Sequence, residues 1–255
     1  MIVKNKIENV AIIILAAGLG TRMKSNKAKV LHPIMGEPMI THVLAVACDV
    51  ADQGVIVVVG HQAEKVKEAC LTVKPVSFAL QQEQNGTGHA VQCAMPEVSD
   101  TVKHVIILCG DVPLLKADTI RALLSDHVQE GRDLSLLAVE VDNPSGYGRV
   151  IMNADRQLSR IVEEADASDE EKLIPLINSG IYCVSNAFLN ASLKELTPDN
   201  VQGELYLTDI IEIGYRWGKH IGVLVGPDRA EVSGVNTAAD LKAVEVLMVD
   251  RCEKT

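Results

Sequence analysis

Apolar residues along this chain follow two rhythms, and the switch between them recurs almost from end to end. Val10-Ala11-Ile12-Ile13-Ile14 carries no polar break, the pattern of a strand buried on both faces. In the next patterned stretch, 39–50, Ile40, Val43, Leu44 and Ala47 recur instead at helical spacing and mark one apolar face. A strand over 55–59, a helix near 63–71, a strand over 76–80 and a helix from about His89 to Met95 continue the alternation. Strands over 105–108 and 134–141 follow. Such an order predicts an α/β, Rossmann-like fold, a mostly parallel sheet with helices on both faces.

Between about 142 and 207 the texture changes. Short strand patterns at 148–152, 158–162 and 180–184 sit among polar loops, including the acidic stretch 163–171. This segment reads as a sub-domain inserted over the sheet. A helix over 208–217, a strand over 221–225 and a last helix over 238–249 complete the chain, with no internal repeat. The division is therefore one domain over 8–237, with the sub-domain at 142–207, and a C-terminal helical segment over 238–255. Lys4 and Lys6 before the first apolar run imitate a signal peptide, but Glu8 and Asn9 interrupt it and the run leads directly into the glycine loop without a convincing cleavage site. Residues 1–7 read as a short leader, and no stretch reaches the length of a membrane span.

Composition narrows the class. A chain of 255 residues that is 47% hydrophobic can bury a large core as one domain. A formal net charge of -10 and a pI near 5.2 argue against a general nucleic-acid binder. Polyanionic small substrates would then need locally concentrated cations and a metal. Cys48, Cys70, Cys93, Cys109, Cys183 and Cys252 are scattered without metal-ligand spacing, which predicts buried free thiols and a reducing cytoplasm.

The sharpest chemistry follows the first strand. Leu15-Ala16-Ala17-Gly18-Leu19-Gly20-Thr21-Arg22-Met23 is a small-residue loop, and Lys29 lies six residues further on. Low Cβ bulk lets backbone amides approach a phosphate closely, while Arg22 and Lys29 supply fixed positive charge. A dinucleotide fingerprint is excluded, because the third glycine is replaced by Met23 and no acidic residue closes the strand over 55–59. No segment fits a P-loop. A tight turn that only packs strand on helix is the bland alternative.

Other candidates lie at the ends of predicted elements. Asp111 stands just past a strand in Cys109-Gly110-Asp111, either as a Mg²⁺ ligand beside phosphates or as a cap. Gly86-Thr87-Gly88 opens a helix near Gln81 and Gln84, whose amides could read a base, or it is a polar surface loop. Glu163, Asn178, Tyr206 and Thr208 offer the carboxylate, amide and hydroxyl mixture that sugar hydroxyls ask for. Asn236 reads as an N-cap of the last helix. His32 and His61 lack a nucleophile in triad context, and His89 is open between helix packing and ligand contact.

Taken together, these residues resemble the sugar-1-phosphate nucleotidyltransferases, most closely the uridylyltransferase domains that make UDP-N-acetylglucosamine in bacterial bifunctional enzymes. The resemblance runs from about Val10 to Asn236 through LAAGLGTRM (15–23), KVLH (29–32), LQQEQNGTGHA (80–90), GDVPL (110–114), GYGR (146–149), IVEEADA (161–167), INSGIY (177–182), QGELYLTD (202–209) and GVN (234–236). It implies the nucleotide-diphospho-sugar transferase fold and uridylyl transfer from UTP to N-acetyl-α-D-glucosamine-1-phosphate. It further implies that Leu15, Ala16, Gly18, Gln81, Gly86 and Thr87 hold the nucleotide, and that Arg22 and Lys29 act on the triphosphate as the catalytic cations. Gly148, Glu163, Asn178, Tyr206 and Thr208 would surround the sugar phosphate, and Asp111 and Asn236 would hold Mg²⁺.

Three positions depart from the family pattern. Cys109 replaces an aromatic, Ala165 replaces a lysine near the sugar phosphate, and Leu19 replaces a lysine in the first loop. Bifunctional relatives continue into a left-handed β-helix acetyltransferase that builds a trimer. A natural end at Thr255 would exclude that activity and predict a monomer or weak oligomer, with neither nucleic acid nor membrane as partner. The same chemistry on another sugar phosphate or with dTTP, and a silent nucleotide-sugar sensor, are the competing readings.

Overall fold

The computed structural model describes residues 9–51, 54–226 and 228–253, with side chains as far as residue 251. The leader assigned to residues 1–7 and the thiol of Cys252 lie outside them. The chain opens with β1 (Val10–Ala16), a small hairpin of β2 (Pro33–Ile34) and β3 (Glu37–Pro38), α1 (Met39–Val50), β4 (Val55–Val59), α2 (Ala63–Leu71), β5 (Ser77–Leu80), α3 (Thr87–Ala94) and β6 (His104–Cys109). It continues through α4 (Ala117–Gln129), β7 (Leu134–Glu140), β8 (Arg149–Met152), β9 (Leu158–Val162), β10 (Leu176–Ser185), α5 (Asn186–Ser192), α6 (Asp209–Arg216), β11 (Ile221–Val225) and α7 (Ala238–Glu253).

Among the described residues one nine-stranded sheet organises the molecule, with the central order β11-β7-β10-β6-β1-β4-β5 and the β8–β9 hairpin attached to β10. Every neighbour along that path is parallel except at β10, which runs antiparallel to both β6 and β7. The two-residue period of β1 explains the layering. Ile12 and Ile14 pack with Leu44, Val57 and Leu123 on one face, while Ile13 packs with Val58, Val91 and Ile107 on the other. Each such fully buried side chain stabilises by about 1.5–3 kcal/mol, so an uninterrupted apolar run belongs at the sheet centre.

Two features differ from the sequence reading. The strand assigned to the inserted sub-domain at 180–184 is part of β10, which sits inside the main sheet between β6 and β7. Ile181, Tyr182, Cys183 and Val184 are buried on both faces, and such a run fits a central strand rather than a peripheral one. The segment 142–207 is thus not a separate layer, and only its hairpin and loops project from the sheet. The helices α4 and α5 lie beyond the elements read from sequence. Ile120, Leu123, Leu124 and His127 carry the helical spacing that marks α4, and all four are buried.

The last helix does not lie on the sheet core. Val244 packs with Met23, Ile34, Met39, Leu114 and Val235 in a third cluster, so α7 braces the loops that follow β1, β6 and β11.

A buried histidine makes the fold acid-sensitive. His127 is fully buried against His104, with ring centroids 5.1 Å apart, and its Nδ1 lies 3.0 Å from Ser135 Oγ. Burial first, then the neighbouring His104 and Arg132, push its pKa down from 6.5 to about 4. Below about pH 6.5 the unfolded chain therefore binds the extra proton. Stability should fall by up to about 1.4 kcal/mol per pH unit towards pH 4 and level off below it. Urea unfolding at pH 7, 6, 5 and 4 checks this against His127→Gln, which should flatten the profile; an unchanged slope in that variant would remove His127 as its source.

Candidate active site

The site grows from strand ends. The parallel strands β1, β4, β5 and β6 all finish at one edge of the sheet, where an α/β sheet opens its ligand crevice. The Gly110 N–H donates to the Leu15 carbonyl (2.9 Å) and the His61 N–H to the Ala17 carbonyl (3.2 Å). These bonds fasten the loops after β6 and β4 to the loop after β1. A cleft of about 440 Å³ lies there, lined by residues 15–21 together with Lys29, Gln81, Gln84, Gly86, Thr87, Cys109, Asp111 and Glu204.

The two glycines of the first loop serve different ends. Gly20 turns the chain at φ +68°, and a Cβ there would press into the stem of Lys29. Gly18 has nothing within 4 Å of where its Cβ would stand, so the space beside it is open cleft.

Charges far apart in sequence converge across this cleft. Lys29 Nζ pairs with the Asp111 carboxylate and also donates to Asn236 Oδ1 (3.1 Å). Asn236 Oδ1 accepts a second bond from Arg22 Nη2 (3.0 Å). The Val235 N–H donates to the Asp111 carbonyl (2.9 Å), which holds the loop before α7 against the loop after β6. The cap of α7 is Thr237 rather than Asn236. Thr237 Oγ1 accepts from the Asp240 N–H (3.2 Å), while Asp240 Oδ2 accepts from the N–H groups of Thr237 (2.8 Å) and Asn236 (3.0 Å). That reciprocal cap frees the Asn236 side chain for the site.

On the other side of the cleft, Gln81 is buried with its Nε2 donating to the Gly86 carbonyl (3.0 Å). A carbonyl only accepts, so the amide orientation is fixed and Oε1 is left as the acceptor. His89 Nδ1 lies 3.0 Å from the Glu83 carbonyl and 3.2 Å from Gln81 Nε2, placing this histidine as a brace of the Gln81 loop. The loop is stitched to the segment before α6. Leu205 N–H donates to the Asn85 carbonyl (2.9 Å), Gly88 N–H to the Leu205 carbonyl (2.8 Å) and Leu207 N–H to Thr87 Oγ1 (3.0 Å).

A second cluster adjoins this cleft across Cys109, whose Sγ donates to the Gly180 carbonyl (3.5 Å). Burial, reinforced by Asp111, pushes the Cys109 thiol up to about 12, so it stays protonated. A bulge in β10 between Asn178 and Ile181 presents Asn178. Asn178 Oδ1 accepts from the Gly180 N–H (2.9 Å) and the Tyr182 hydroxyl (3.0 Å), which leaves its amide NH₂ as the donor. The Asn178 N–H donates to the Gly148 carbonyl (2.9 Å), and a Cβ on Gly148 would stand 3.2 Å from Glu163 Oε2. Glu163 accepts from Thr208 Oγ1 (3.3 Å), and its carboxyl is raised by burial against the opposing effect of that bond. Tyr206 is buried beside the carboxylates of Asp166, Glu163 and Glu204, and burial followed by these charges raises its phenol. The five residues picked from sequence as sugar ligands thus form one patch.

Sequence reasoning passed over Arg149, the last residue of GYGR, which is buried behind this patch. Its hydrogen bond holds the Glu164 carboxyl below the ordinary range. A long cationic residue opening an apolar strand was the available signal. Leu19 and Ala165, two of the departures from the family pattern, are exposed. Cys70, Cys93, Cys109 and Cys183 are free thiols, and among the described residues no helix is long and apolar enough to cross a membrane.

Known proteins resemble this chain over most of its length. Residues 12–175 match the family described as the MobA-like NTP transferase domain. The bifunctional protein GlmU of Geotalea uraniireducens is 43% identical over 246 residues, covering 96% of this chain and 54% of that protein. GlmU of Pelobacter propionicus is 46% identical over 92% of this chain and 51% of its own length, and GlmU of Caldanaerobacter subterraneus is 46% identical over 94% and 52%. The chain spans about half the length of these curated relatives.

Proposed function

The chain belongs to the MobA-like NTP transferase domain family, and from that premise we propose that it transfers a uridylyl group from UTP to N-acetyl-α-D-glucosamine-1-phosphate, releasing pyrophosphate. The observation that carries this reading is the convergence of Arg22, Lys29, Asp111 and Asn236 at the rim of the glycine loop. A sugar phosphate oxygen attacks the α-phosphorus, the bond from that phosphorus to the bridging oxygen breaks, and pyrophosphate leaves with the electron pair. The attacking oxygen is already anionic near neutral pH, so no general base is required. Arg22 and Lys29 neutralise charge on the α-phosphate and the leaving group, while Gln81 offers its Oε1 to an N–H on the base edge. Asn178 and Glu163 orient the sugar phosphate.

The residues fit Mg²⁺. The Asp111 carboxylate and Asn236 Oδ1 both reach the same Lys29 ammonium, so two hard oxygens already converge on one positive centre. Mg²⁺ usually completes its shell with phosphate and water, so two protein oxygens suffice to hold it beside a triphosphate. When bound by Asp111 and Asn236, Mg²⁺ supplies positive charge to the triphosphate. The reading also places the protein in a reducing cytoplasm, supported by its free thiols.

Pyrophosphate release measured over a panel of nucleoside triphosphates and sugar-1-phosphates tests the proposal. UTP with N-acetylglucosamine-1-phosphate and Mg²⁺ should give the highest kcat/KM, and EDTA should abolish release. Preference for glucose-1-phosphate or dTTP would redirect the substrate assignment. UDP-sugar binding without any turnover would identify a silent homologue instead.

A further inference from the structure

Arg149 stands out because burial of a guanidinium is costly unless every face of it is engaged. Its side chain is 1% exposed, and Nη1 donates to the Tyr147 carbonyl. Nη2 donates to Glu164 Oε2 (2.7 Å) and to the Lys172 carbonyl (3.2 Å), and Nε donates to the same carbonyl (3.4 Å). Glu164 Oε2 accepts in addition from the Gly146 N–H (3.0 Å). One guanidinium therefore ties the turn at 144–148 to the end of β9 and to the turn that precedes β10.

The consequence falls on the Tyr147–Gly148 peptide. The described chain has no cis peptide bonds, so the Tyr147 carbonyl and the Gly148 N–H lie in one rigid plane and point in opposite directions. Arg149 grips this peptide by the Tyr147 carbonyl, and the Asn178 N–H grips the next one by the Gly148 carbonyl. We propose that the Arg149–Glu164 pair is a positioning device that sets the direction of the Gly148 amide and the seat of Glu163 for the sugar phosphate. Arg149 is not a ligand itself, since its guanidinium is spent on Tyr147, Lys172 and Glu164. The proposal rests on the reading of this patch as the sugar-phosphate side of the site.

Lysine at 149 keeps the charge but lacks the planar fork, so it cannot span three partners on different segments. Glutamine at 164 keeps the shape and removes the charge. Arg149→Lys and Glu164→Gln should each raise KM for the sugar phosphate by about tenfold or more, with KM for UTP changed by less than about twofold and kcat at saturation largely retained. Thermal unfolding runs alongside the kinetics. An unchanged KM for the sugar phosphate in a variant that melts with the wild type overturns the proposal, as does an equal rise for both substrates. Should Arg149→Lys fail to fold, Glu164→Gln decides the question on its own. The wild-type panel tests the substrate reading separately, and the variants are compared on whichever sugar phosphate the wild type turns over.

Discussion

Lys29→Ala should lower kcat by about 10²–10³-fold, the cost of removing one preorganised electrostatic contact to the developing charge of the transition state. Lys29 occupies the centre of the charge cluster, bonded at once to Asp111 and to Asn236 Oδ1. Its loss removes a cation from the triphosphate side and leaves the Asp111 carboxylate without its partner. Because that carboxylate is only partly buried, the fold tolerates the change better than the chemistry does. Asp111→Asn keeps the shape and removes the charge, and it should depress turnover on a similar scale while demanding more Mg²⁺ for half-maximal rate. Steady-state pyrophosphate release across a Mg²⁺ titration measures both effects. Turnover near the wild-type value in either variant, with the fold intact, would remove these residues from the reaction.

Gly86→Ala should impair both stability and nucleotide binding. Gly86 lies at φ +103° and ψ 173°, a region that only glycine enters without strain, and a Cβ there would stand 2.8 Å from the Leu205 N. The backbone strain alone costs about 1–3 kcal/mol. Relief requires the stitch between Asn85–Gly88 and Leu205–Leu207 to open, which loosens Gln81 from the Gly86 carbonyl. The melting temperature should fall and KM for UTP should rise together. Gly18→Ala makes the contrast. Nothing lies within 4 Å of its added methyl, so the melting temperature should hold while the methyl intrudes on the nucleotide and raises KM for UTP. A Gly86→Ala protein with wild-type melting and KM would show that this loop is not the base-reading element.

How far the fold was legible depended on which interactions leave a trace in local pattern. Val10–Ile14 and 55–59 were readable because a central strand is apolar on both faces, and α1 because its buried face recurs at helical spacing. The same spacing is present over 117–129 for α4, in Ile120, Leu123, Leu124 and His127, outside the alternation read from sequence. The strand β10 is legible only in part, and its place in the sheet is not. Its residues record that both faces are buried, yet they do not record whether its neighbours are its own hairpin or the distant β6 and β7. Asn236 shows the same limit at the site. As a residue before a helix it reads as a cap, and only the Thr237–Asp240 exchange of hydrogen bonds shows that the cap is the next residue.

By itself the sequence determined the succession of strands and helices, the glycine loop with its two cations, and the set of polar residues at element ends. These are local properties, written in hydrophobic period, Cβ bulk and side-chain charge. The tertiary structure decided the partnerships: Lys29 with Asp111 and Asn236, Gln81 with His89, Gly148 with Asn178, and Arg149 with Glu164 and Lys172. Sheet order carries Lys29 to Asn236 across a separation of 207 residues, and no periodicity within either segment encodes that meeting. A residue's pattern tells which way it faces, and the topology tells what it finds there.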